Sequence, residues 1–85
     1  MNEADLAART AQLPELFAGR LPDSVLDGIH SMASGGEWDE LLDLLLAALT
    51  QTRAVVTAEE RDQLREVLAG WGLPTAKVDD LTVHG

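Results

Sequence analysis

The chain has no cysteine, no tyrosine, one phenylalanine and two histidines in 85 residues. Without cysteine there can be no disulfide and no thiolate metal site. His30 and His84 stand far apart, so a zinc site would need help from carboxylates, and no metal or cofactor is expected. A Ser/His/Asp triad would also have to draw on one of these two histidines. His30 falls among carboxylates on an exposed helical face, where no concave pocket is expected, so no catalytic residue is assigned. Strand formers are scarce: Val55-Val56 and Leu81-Thr82-Val83 are the only short β-like runs. No stretch approaches the ~20 apolar residues of a membrane span. The opening MNEADLAART is acidic and lacks an apolar run, so no signal peptide is expected and a soluble cytoplasmic protein is the default. Basic residues are few as well, six against fifteen Asp and Glu, for a formal net charge of -9.

What is present is Ala and Leu at helical spacing, with 46% apolar residues, as in a globular domain rather than a disordered chain. Ala4 to Leu13 can form a first helix. Pro14 is expected to end it, because proline disfavours helix in the residue before it, and to open a separate turn, Pro14 to Ala18, closed by Gly19. Pro22 and Asp23 start the next helix, to about Ser34, with Val25, Ile29, Met32 and Ala33 on one arc and Asp23, Asp27, His30 and Ser34 opposite. Gly35-Gly36 ends it. Glu37 to about Thr52 is the most apolar segment, with an inner face of Trp38, Leu41, Leu42, Leu45, Ala48 and Leu49, and is expected to sit centrally. Trp38 falls mid-arc and is expected in the core, as is Trp71. Thr57-Ala58-Glu59-Glu60 is a capping box, and its helix runs to about Trp71 through Leu64, Val67 and Leu68 until Gly72 and Pro74 stop it. The tail 75–85 is expected to be extended, or to make one last turn over the core through Val78 and Leu81. The expected fold is all-α: one domain, residues 1–85, a small bundle of four to five helices with short loops.

Residues 21 to 52 carry six carboxylates and no Lys or Arg. They alternate with core positions, so a folded surface is held strongly negative. Such a surface repels nucleic acid and anionic membrane and attracts a basic partner. Asp23, Asp27, His30, Glu37, Asp39, Glu40 and Asp43 are the candidate partner-binding face. The plain alternative is a solvated face that keeps the chain soluble. Two further alternatives remain. One is an acidic regulator or nucleic-acid mimic. The other is an acyl or peptidyl carrier protein, since Asp23-Ser24-Val25 is similar to the Asp-Ser-Leu motif whose serine takes phosphopantetheine. The similarity is two residues long, and Ser24 lies too near the N-terminus for the long loop that precedes the motif in carriers.

The run Gly36-Glu37-Trp38-Asp39-Glu40-Leu41-Leu42, preceded by Leu21-Pro22-Asp23 and followed by Leu45-Leu46 and Thr57-Ala58-Glu59-Glu60, resembles small immunity proteins of bacterial polymorphic-toxin systems, in particular the Maf-type immunity family. The resemblance covers about residues 13 to 74. It implies a cytoplasmic protein that binds and neutralises a cognate secreted toxin, with no catalytic residues. It carries no interface map onto these positions. The chain is also similar in size and acidity, though not in motif, to colicin nuclease immunity proteins, in which an acidic helical surface meets a basic nuclease.

Overall fold

The computed structural model describes residues 2–84 as four α-helices, one 3-10 turn and a two-residue β ladder. Helix α1 spans Glu3–Leu16. Asn2 caps it, its Oδ1 accepting from the Asp5 N–H at 2.8 Å, and Glu3 and Asp5 suit the positive end of the helix dipole. Leu6, Thr10, Leu13 and Pro14 are its buried face. The expected break at Pro14 does not occur: α1 passes through the proline to Leu16. Pro14 stands in the last turn, where its missing N–H can deprive at most one carbonyl, that of Thr10, of its helical partner. Burial of Leu13, Pro14 and the following Phe17, which is fully inaccessible, offsets that loss.

Helix α2 spans Asp23–Ser34, with Leu26 and Ile29 buried and Val25, Met32 and Ala33 packed at the margin of the core. Gly36 turns the chain with φ +69, a backbone region that side chains with a Cβ rarely adopt. The Glu37 N–H then reaches back to the Met32 carbonyl at 3.0 Å. Helix α3, Trp38–Thr52, is the centre of the molecule. Six of its residues are buried, Leu41, Leu42, Leu45, Leu46, Ala48 and Leu49, and it packs against α1, α2 and the 3-10 turn. Such an apolar circumference is stable only when several elements cover it.

Strand β1, Val55–Val56, leads into α4, Ala58–Gly70. The capping box forms as its spacing predicts: the Glu60 N–H donates to Thr57 Oγ1 at 3.1 Å and the Thr57 N–H to Glu60 Oε1 at 2.9 Å. After α4 the chain makes a 3-10 turn, Ala76–Asp80, that buries Val78 and then Leu81. Strand β2, Thr82–Val83, pairs parallel with β1, Val55 opposite Thr82 and Val56 opposite Val83. The two strands run the same way because a whole helix, α4, connects them.

Two ties hold the helices in place. The Trp71 indole N–H donates to Thr10 Oγ1 at 2.9 Å, and that hydroxyl donates to the Leu6 carbonyl at 2.7 Å, joining the end of α4 to the middle of α1. Arg20, between α1 and α2, grips Glu60 with both terminal nitrogens, at 2.7 and 2.6 Å. It also donates to the Val55 carbonyl at 3.0 Å and to the Leu16 carbonyl, and lies over the Phe17 ring at 4.9 Å from its centroid. The Arg20 guanidinium, with help from the Thr57 N–H, holds the Glu60 carboxyl below the usual carboxylate range.

Candidate functional site

The seven residues of the acidic face are all exposed, on α2 and on the first half of α3 with its cap. Glu37, Asp39 and Glu40 gather at the start of α3, where Glu37 holds the cap position and the other two occupy the first turn. With Gly36, Trp38 and Trp71 they line a shallow cavity of about 290 Å³. Asp43 follows one turn later on the same side as Asp39, and these two share a second cleft of about 290 Å³. Asp23, by contrast, begins α2, twelve residues before Gly35, so it lies about 18 Å along the helix axis from the Gly35-Gly36 junction. Asp27 stands one turn nearer. His30 turns to α1, where its Nε2 is 3.2 Å from Glu15 Oε1. His30 thus brings the α2 arc to the edge of α1, while Glu37, Asp39 and Glu40 share the cavity at the start of α3.

Trp38 departs from its expected place. It is half-buried, and its ring stacks on Trp71 with centroids 6.2 Å apart and planes 16° from parallel. The cause is positional. Trp38 is the first residue of α3, so no preceding turn covers the outer side of its ring. Trp71, also half-buried, caps α4 and supplies the one aromatic surface in reach. The pair forms the back wall of the cavity that Glu37, Asp39 and Glu40 enclose.

The second cleft was not visible in the sequence. It lies between α3 and the segment that follows α4, with a floor of Leu42, Leu46, Leu68 and Leu73 and with Pro74, Ala76 and Lys77 along the far side. A third depression of about 250 Å³ continues it past Leu46 and Lys77 toward Thr50, Gln51 and Asp80. Asp39 lines the first two, and Leu46 and Lys77 the last two, so the three are neighbours along α3. The α3 residues that line the second cleft and the third depression, Asp39, Leu42, Asp43, Leu46, Ala47, Thr50 and Gln51, recur at three and four positions, the spacing of a single helical stripe. That stripe could be read from the sequence. Its opposite wall could not.

The distribution of ion pairs sharpens the asymmetry. Arg20 pairs with Glu60 at 2.6 Å, Arg9 with Glu66 at 2.9 Å, Arg65 with Asp79 at 2.8 Å and Arg61 with Asp62 at 3.4 Å, all on or beside α4. Arg9 holds the Glu66 carboxyl below its usual range by the same hydrogen bond. Among the described residues, no Lys or Arg nitrogen lies within 4.0 Å of Asp23, Asp27, Glu37, Asp39 or Glu40. Asp43 has Lys77 at 3.6 Å, in a pair whose side chains are 72% and 75% exposed.

Ser24 is exposed as the second residue of α2, after a connection of six residues from α1. Among the described residues no group of three or more His, Asp or Glu side chains is arranged to hold a metal ion. Among the described residues no helix is long and apolar enough to cross a membrane. Compared with protein-family models, with curated proteins and with solved structures, the chain matches none of them.

Proposed function

We propose that this chain is an immunity-type inhibitor: a cytoplasmic protein that captures a basic toxin domain, one to one, and blocks its working surface. The observation that carries the reading is the division of charge. Four of the five arginines pair with carboxylates on or beside α4, while five exposed carboxylates on α2 and α3 have no Lys or Arg beside them. A nuclease-type toxin needs a basic surface to hold phosphates. A rigid carboxylate face can occupy that surface, exclude the substrate and speed association by long-range attraction. The rigidity is supplied by the leucine-packed α3 and by the Trp38–Trp71 stack behind the carboxylates. The resemblance to Maf-type immunity proteins supports the same reading from the sequence side.

The test is binding to the purified cognate toxin at two salt concentrations. Asp39→Lys with Asp43→Lys is expected to weaken capture sharply, because like charges that face each other across an interface cost several kcal/mol. Slower association and a flatter salt dependence should accompany it. Asp62→Lys with Glu66→Lys is the control, on the paired side of the molecule. Its cost to the fold is read separately from a melting curve. Should the control pair weaken capture more than Asp39 and Asp43 do, the interface lies on α4 and the acidic face of α2 and α3 is a solvated surface.

A further inference from the structure

The cleft between α3 and the segment after α4 combines two chemistries. Its floor is apolar, built from Leu42, Leu46, Leu68 and Leu73, and its rim carries Asp39 and Asp43. At about 290 Å³ it has room for one long side chain. A cation already stands at its edge. Lys77, the only lysine of the chain, places its Nζ 3.6 Å from Asp43 Oδ1. An exposed pair of that length is weak and easily exchanged.

We infer that this cleft is an anchor pocket for a single arginine or lysine side chain of a protein partner, which lays its aliphatic stem over the leucine floor and displaces Lys77 from Asp43 with its charged head. The inference rests on the reading of the partner as basic, and it names where one of that partner's cations goes. A purely aliphatic side chain in this cleft would take water from Asp39 and Asp43 and return nothing to them. An acidic one would meet two like charges. A side chain that is apolar along its stem and cationic at its tip satisfies floor and rim together. Arginine fits better than lysine, because its planar fork can bond a carboxylate through two parallel N–H groups. Lys77 then acts as an internal occupant that keeps Asp43 partnered until the partner arrives.

The test uses the full chain, isotope-labelled for amide NMR, and a short blocked peptide, acetyl-Leu-Arg-Leu-amide. The comparison is the same peptide with citrulline, which keeps the shape of arginine and lacks its charge. A single anchor contact corresponds to a dissociation constant on the order of millimolar. The arginine peptide is expected to shift the amides of Asp39, Asp43, Leu46, Leu73 and Lys77 saturably, and the citrulline peptide to leave them in place. Lys77→Gln, which removes the competitor, should tighten binding about two- to five-fold, the range for loss of an exposed ion pair. Asp43→Asn should weaken it about tenfold, as loss of a hydrogen bond to a charged group does, while Asp27→Asn on α2 should change it less than about twofold.

The inference is overturned by any of three results: no saturable shift, equal shifts from both peptides, or affinities that ignore Lys77→Gln and Asp43→Asn. The peptide contains no toxin, so the two proposals separate. If the toxin is captured but the peptide fails, the pocket is wrong and neutralisation stands. If the peptide binds as described and no toxin is captured, the pocket is right and its partner is a different basic protein.

Discussion

Replacing Arg20 by alanine removes more than a surface charge. The side chain makes two short bonds to Glu60, at 2.7 and 2.6 Å, one to the Val55 carbonyl at 3.0 Å and one to the Leu16 carbonyl, and covers the Phe17 ring. A hydrogen bond to a charged group contributes about 1.5–3 kcal/mol when sheltered, an exposed ion pair about 0–1. Arg20 is 34% and Glu60 13% exposed at their side chains, between those limits. With about 0.5 kcal/mol from the cation over the ring, Arg20→Ala should cost about 2–3 kcal/mol. A chain of this length has only about 4–13 kcal/mol in all, so its melting point should fall by about 10–20 °C. A cycle of Arg20→Ala and Glu60→Gln, followed by urea unfolding at pH 7, should return a coupling of about 1–2 kcal/mol. The pH dependence has a definite sign. Glu60 has a lower carboxyl pKa folded than unfolded, so its contribution is complete above the ordinary carboxylate range. It is lost as pH falls through the folded value below that range. The gap between parent and Arg20→Ala should therefore narrow below about pH 4. A coupling under about 0.3 kcal/mol, or a gap that is constant with pH, would refute the role given to this clamp.

Three further outcomes are expected. Trp38→Ala should cost about 1–3 kcal/mol in denaturant unfolding, less than the ~3–5 of a fully buried tryptophan, because one side of the ring is open; a larger loss would place that ring in the core. Thr10→Val keeps the volume but strands the Trp71 indole N–H, and should cost about 1–2 kcal/mol; a neutral result by the same measurement would mean that water takes the place of the hydroxyl. Intact mass after co-expression with a phosphopantetheinyl transferase should show no added group on Ser24; a mass gain that Ser24→Ala abolishes would favour the carrier reading over neutralisation.

Local rules were legible where partners lie within one helical turn. The capping box of Thr57 and Glu60, the Gly36 turn and the leucine stripe of α3 are each decided by residues three or four apart, and all formed as their spacing predicts. The two β-strands are likewise at 55–56 and 82–83, inside the two short β-like runs of the sequence. Pro14 misled because a proline rule weighs one lost bond and ignores what the next residues bury; Phe17, three positions on, is fully enclosed. Trp38 misled because a helical wheel has no ends, and this residue stands at one. The α3 carboxylates were legible as exposed, yet the cleft beside them was not. Its far wall is Pro74, Ala76 and Lys77, some thirty residues along the chain from the α3 stripe, and its place depends on how the chain returns after Gly72. The Arg20–Glu60 clamp spans forty positions and has no local signature at all.

Both tryptophans of the chain stand in one stack, at the back of the cavity that three carboxylates enclose. The molecule therefore carries its own optical probe at the place where a partner is proposed to dock. With no tyrosine present and a single phenylalanine in the core, essentially all near-ultraviolet absorption and emission comes from this one contact between the start of α3 and the end of α4. The two indoles stand 6.2 Å apart, so loss of the stack should change the near-ultraviolet circular dichroism. Docking of a positive group beside Trp38 changes the field across both rings and should shift their emission. Capture can then be followed on the unmodified chain, in stopped flow, without a label that would alter the surface under test.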